Sequence, residues 1–119
     1  PYLDAINIDL KSFSEKFYKN ICGAKLQPVL DNLIKIKKAG VHLEVTTLII
    51  PKHNDSTDEI KSIAKFIYKN LGANTPWHVS AFYPTYKMLD IPATPAKKIF
   101  EAVALGKKTS LEHVYAGNV

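Results

Sequence analysis

Polar and apolar residues alternate one by one from Ala5 to Leu10. Ile6, Ile8 and Leu10 fall on one side and Asn7, Asp9 and then Lys11 on the other, which predicts a strand. A second run, Leu43 to Ile50, is rich in Val, Thr and Ile and stops at Pro51; a third, Trp77 to Tyr83, stops at Pro84. Between these runs the apolar spacing lengthens to the helical period. Pro28 suits a first helical turn, Val29, Leu30, Leu33 and Ile34 share one face, and Gly40 supplies a left-handed cap. Ser12 and Glu15 have capping-box spacing and predict a short helical turn ahead of Phe17 and Tyr18. Ser56 and Glu59 repeat that spacing before a stripe of Ile60, Ile63, Ala64, Ile67 and Leu71, which Gly72 closes. A last helix opens at Thr94-Pro95, carries Ile99, Ala102 and Val103, and is expected to end at Gly106. Leu111 to Tyr115 predicts a further strand.

Strand and helix alternating in this way imply parallel strands joined by right-handed crossovers, an α/β fold in a single domain over residues 1–119. A parallel strand covered by helices on both faces should be apolar throughout. These strands are not. Asn7, Asp9 and Lys11 on the first, Glu44 and Thr46 on the second, and His78 and Ser80 on the third repeat a polar position at every other residue. Three neighbouring strands of this kind would line one polar concavity, as in part of a βα barrel, with its mouth at their carboxyl ends.

Composition narrows the chemistry. The 119 residues include a single cysteine, Cys22, so this chain alone forms neither an intramolecular disulfide nor a three-cysteine metal or cluster site. Cys22 has no His neighbour close in sequence and is expected to pack as a small hydrophobe. No stretch is long and apolar enough to suggest a membrane span, and no secretory signal opens the chain, so a cytoplasmic setting is expected. Beginning at Pro1 rather than Met, the chain looks like an excised piece. The formal net charge is +5, yet all sixteen cationic side chains are lysine. Without arginine there is no planar fork for guanine edges or phosphates, so nucleic acid is not the expected partner.

Several residues admit a structural and a functional reading. Asp9 and Lys11 point the same way from one strand, as a surface ion pair or as a clamp for a charged ligand. His78 is either a hydrogen-bonded core residue or a catalytic group. Tyr83 and Tyr86, flanking Pro84, either pack or stack on a flat ring. Asn54, Asp55 and Ser56 make a helix-start loop that could also hold an anion. No glycine-rich phosphate loop, nucleophile elbow or zinc-ligand spacing occurs.

In order and spacing, Ala5-Ile6-Asn7-Ile8-Asp9-Leu10-Lys11, the Leu43 to Pro51 run with Asn54-Asp55-Ser56, and Trp77-His78-Val79-Ser80-Ala81-Phe82-Tyr83-Pro84 form a recognisable set. The set resembles the carboxyl-terminal half of radical SAM enzymes of the pyruvate formate-lyase activating type. Pro84-x-Tyr86-x-Met88 and the closing Val114-Tyr115-Ala116-Gly117-Asn118-Val119 are similar to the AmmeMemoRadiSam-system branch. The resemblance implies a partial (βα) barrel, strands four to six of a radical SAM (βα)6 barrel, and hence an incomplete domain. It implies that Asp9 and Lys11 lie against S-adenosylmethionine, with a monovalent cation at Asp9, and that the backbone around Val79 to Ala81 faces the adenine. Thr46 stands where activating enzymes carry an arginine and Tyr83 where they carry a histidine; with Ser80 these are further cofactor-binding candidates. It also implies a parent that cleaves S-adenosylmethionine reductively with a [4Fe-4S] cluster, making a 5′-deoxyadenosyl radical that could act on a glycyl residue of a partner protein. The cluster cysteines and the glycine-rich motif belong to the family's other half, so this chain alone is expected to be inactive. It should pair with a missing half or self-associate through the open edge of its first strand. A stand-alone α/β nucleotide-binding module without catalysis is the alternative.

Overall fold

A computed structural model describes residues 5–84 and 91–118, without the side chains of Ala5, Ile21 and Cys22. The expected packing of Cys22, and the Tyr86 and Met88 positions, lie outside what is described. Four strands, β1 (Ala5–Asp9), β2 (His42–Ile49), β3 (Trp77–Ala81) and β4 (Val114–Gly117), form one sheet in chain order with every neighbour parallel. The helices between them are α1 (Glu15–Phe17), α2 (Leu26–Lys38), α3 (Thr57–Phe66) and α4 (Ala96–Lys108). α1 and α3 each run on into a wider π-helical turn, Tyr18–Cys22 and Ile67–Leu71.

The helices cover one face of the sheet. Leu43, Val45, Ile49, Trp77, Val79, Ala81 and Val114 point into a core completed by Leu30 and Leu33 of α2, Ile60 and Ile63 of α3, and Ile99 and Ala102 of α4. The opposite face carries the polar alternation, and no described helix lies over it: Leu48 and Tyr115 on that face are exposed. One covered face and one open, polar face make the sheet an arc of a βα barrel rather than a doubly wound sheet.

Local chemistry departs from expectation at four places. The N-cap of α1 is Ser14, whose hydroxyl accepts from Phe17 N–H at 3.2 Å, not Ser12. Ser12 is fully buried, its hydroxyl donating to the Glu59 carboxylate of α3. Glu15 turns to α2, accepting from Leu26 N–H at 3.0 Å. Gly106 does not end its helix. α4 runs on to Lys108 and the left-handed residue is Ser110 at φ 80°. Gly106 is glycine because the indole of Trp77 lies against it; an added Cβ would sit 3.0 Å from that ring and 3.1 Å from Val114.

The third strand stops at Ala81 because Phe82 N–H turns to the Thr94 hydroxyl at 2.8 Å. Thr94 is correspondingly buried and its hydroxyl donates to Ile49 C=O, tying the ends of β2 and β3 together, while Pro95 takes the cap position of α4. The last strand begins at Val114, three residues beyond the expected start, after the turn centred on Ser110.

Candidate functional site

Register decides which side chains meet. In a parallel pair, residues directly opposite each other point the same way. Asn7 lies opposite Glu44 and Asp9 opposite Thr46; Thr46 is in turn opposite His78 and Leu48 opposite Ser80; His78 is opposite Tyr115 and Ser80 opposite Gly117. The polar positions of all three expected strands therefore share one wall, extended by β4.

The wall has two levels. At the amino-terminal level the Glu44 carboxylate sits between two imidazoles, His78 Nε2 at 2.6 Å and His42 Nε2 at 3.0 Å. Hydrogen bonds from His78 and then His42 hold the Glu44 carboxyl below its ordinary value, against the opposing effect of burial. The His78 ring leans on Tyr115 at a centroid distance of 5.3 Å, and Tyr115 stacks on His113 at 6.4 Å.

Towards the carboxyl ends the wall opens into a cleft of about 310 Å³. Asp9 and Lys11 stand at its lip, Lys11 Nζ to Asp9 Oδ2 at 3.5 Å, with their side chains 62% and 48% exposed. A pair so open to solvent contributes little to stability and leaves both charges available to a ligand. Thr46 and Ser80 line the middle, and the Thr46 hydroxyl donates to Asn7 Oδ1 at 2.7 Å. Leu48 and Ile50 add an apolar floor. Asn118 closes the side, its carbonyl accepting from the Tyr83 hydroxyl. Asp9, Lys11, Thr46 and Ser80 thus meet in one cleft, and Tyr83 reaches it through Asn118.

Three supporting residues carry no obvious signal in the sequence. Asn54, expected as part of a helix-start loop that could also hold an anion, is 2% exposed and braces the ends of two strands. Its amide donates to Lys11 C=O at 2.6 Å and Leu48 C=O at 2.8 Å, and its oxygen accepts from Ile50 N–H at 2.6 Å. Thr47, on the core face, donates to Leu10 C=O at 2.7 Å and accepts from the Trp77 indole N–H at 3.0 Å. Gly117 leaves room beside Ser80; an added Cβ would stand 2.7 Å from the Ser80 hydroxyl.

The donor set suits a zwitterionic ligand with an apolar portion: a carboxylate for an ammonium group, an ammonium for a carboxylate, and hydroxyls beyond. S-adenosylmethionine has that chemistry and fits the residues present. An iron–sulfur cluster does not fit, because it needs three or four thiolates and the chain has one cysteine. Among the described residues no group of His, Cys, Asp and Glu is arranged to hold a metal ion.

Comparison with known proteins agrees on the fold. Over 96% of its length the chain superposes on 67% of a crystallised domain of pyruvate-formate lyase-activating enzyme from Bacteroides vulgatus, with a TM-score of 0.83 and 15% identity. In sequence it is 44% identical over 117 residues to an uncharacterized protein of Methanocaldococcus jannaschii, covering 98% of this chain and 35% of that one. It is 26% identical over 110 residues to the benzylsuccinate synthase activating enzyme of Thauera aromatica, covering 82% of this chain and 33% of the enzyme. The chain therefore spans about a third of the curated relatives it matches. No family model matches it. The fold class is the one the resemblance implies, a parallel partial βα barrel of the activating-enzyme kind. No described helix is long and apolar enough to cross a membrane.

Proposed function

We propose that this chain is the S-adenosylmethionine-binding wall of a radical SAM enzyme of the activating type, completed by residues outside it. The observation that carries this reading is the convergence of Asp9, Lys11, Thr46 and Ser80 on one cleft at the carboxyl ends of parallel strands, where α/β barrels hold their ligands. Similarity to an activating enzyme in sequence and to another in fold supports it.

In this reading Asp9 receives the ligand's ammonium group or a monovalent cation beside it, and Lys11 receives its carboxylate. The Thr46 and Ser80 hydroxyls hydrogen-bond the ribose, and Leu48 and Ile50 shield the apolar part from water. Tyr83 acts through Asn118, fixing the closing segment. S-adenosylmethionine, once bound beside a reduced cluster, supplies radical chemistry; the thiolates for that cluster must come from outside these 119 residues. The acceptor would be a protein, as the names of the activating-enzyme relatives suggest. The missing part of the barrel, or a second copy, would pair with the outer edge of β1.

Calorimetry tests the cofactor assignment. S-adenosylmethionine should bind to the protein carrying this chain, and Asp9→Asn with Lys11→Met should weaken binding about tenfold or more, the loss of roughly 1.4 kcal/mol. Unchanged binding in that double variant overturns the reading. Adenosine bound as tightly as S-adenosylmethionine by this chain alone would favour a nucleotide-binding module instead.

A further inference from the structure

The loops after β1 and β2 leave the sheet at the same end as the cleft and enclose a second concavity that the cofactor reading does not use. A notch of about 250 Å³ is bounded by Ser14, Lys16, Phe17, Asn20, Lys52 and His53. Lys16 and Asn20 also border a shallower groove of about 870 Å³ that runs on to Lys19 and Lys25. The two concavities share Lys16 and Asn20 in their walls, and the channel is this adjoining pair. Four lysines and His53 face it, and all five are exposed.

Acidic groups near the channel are already engaged. Glu15, the one acidic residue among those lining it, spends its carboxylate on Leu26 N–H at 3.0 Å. Asp55, in the loop behind the notch, accepts from Lys52 N–H at 3.2 Å. That bond holds Lys52 at φ 72°, a conformation lysine rarely adopts. Glycine would take it without strain, so a lysine side chain is kept there against its backbone preference, aimed at the notch. Backbone strain of this kind concentrates at functional positions.

The geometry points to a docking channel for an extended acidic peptide segment of a partner protein. A row of exposed ammonium groups matches spaced Asp and Glu carboxylates, which need only point charges. A nucleic acid fits less well. The channel offers no arginine for two-point phosphate contacts, its Phe17 is 5% exposed, and the His53 imidazole is the one exposed ring in its lining on which a base could stack. This inference stands on shape and charge alone and survives if the cofactor assignment fails.

Fluorescence anisotropy at low salt tests it, with a labelled peptide alternating Glu and Ser as the probe and the full chain as the protein. The peptide should bind, and Lys16→Glu with Lys52→Glu should weaken it about tenfold or more. Lys61→Glu with Lys97→Glu, the same charge change on the exposed faces of α3 and α4, should leave it within about twofold. Lys52→Gly removes the side chain from a backbone already suited to glycine, so it guards against misfolding and should also weaken binding. The inference is overturned by no peptide binding, by equal losses in both double variants, or by tighter binding of a single-stranded oligonucleotide that the Lys16 and Lys52 changes abolish.

Discussion

Glu59 and Ser12 stand 47 residues apart and are hydrogen-bonded, the buried Ser12 hydroxyl donating to the Glu59 carboxylate. The same carboxylate also accepts from Phe13 N–H. Glu59 has capping-box spacing from Ser56, yet only half of that box forms: Ser56 accepts from Glu59 N–H at 3.1 Å, while the Glu59 side chain leaves its helix to pin the segment after β1. Glu59→Ala strands a buried hydroxyl and a backbone donor and should cost about 1–3 kcal/mol. Ser56→Ala should cost about 1 kcal/mol as a simple cap loss. Urea midpoints that rank Ser56→Ala as the more damaging change would refute this division of labour.

Glu44 makes stability acid-sensitive. Its folded value is depressed, so its contribution is complete above the ordinary value of 4.5 and is lost as pH falls through the lower, folded one. The groups facing it are His42 on its own strand, Asn7 across β1 and His78 across β3, with Tyr115 behind His78. Wild type should be more stable than Glu44→Gln at neutral pH, and the two should converge as pH falls from 4.5 through the lower, folded value. A gap that stays constant over that range would show that the two imidazoles do not hold the ionised form.

Gly106→Ala is the test of core fit. Added to a helix interior, alanine ordinarily stabilises by about 1 kcal/mol. Here the methyl meets the fully buried Trp77 ring and Val114, so a net loss of about 1–3 kcal/mol is expected from overpacking. Thermal unfolding of that single variant gives the sign directly.

Asn54→Asp probes the brace under the cleft. Two carbonyls, of Lys11 and Leu48, would then face an acceptor instead of a donor. A loss of at least about 2 kcal/mol should follow. Ligand affinity should drop even though Asn54 does not line the cleft; an Asn54→Asp protein with full stability would remove the brace from the account.

Anaerobic treatment with iron and sulfide should leave the isolated chain without cluster absorbance, since a single thiolate cannot retain four irons. A stoichiometric cluster lost in Cys22→Ser would contradict this.

The wall was legible because a period of two sorts side chains without knowledge of the partners. Once Asn7, Glu44 and His78 alternate with Ile8, Val45 and Val79, parallel pairing leaves little freedom in which face is wet. Residues whose role depends on distant neighbours were not legible. Ser12 and Ser14 are the same residue type two positions apart, and only the approach of Glu59 makes one a core bond and the other a cap. Gly106 looks like a helix stop until Trp77 arrives against it. Asn54 looks like an ordinary loop residue; its bonds to Leu48 and Ile50 are local, and the one to Lys11 C=O exists only after β1 and β2 are in register. The cofactor candidates fell together for the converse reason: they follow strand ends, and strand ends converge.

Ile6, on the flank strand β1, is 38% exposed although it points to the helix-covered side. A hydrocarbon left wet beside a row of backbone amides gives any incoming extended segment both adhesive and template. How this polypeptide behaves at millimolar protein is thus a property of its border rather than its interior, and a lysine placed at position 6 should keep concentrated solutions clear without disturbing the centre of the molecule.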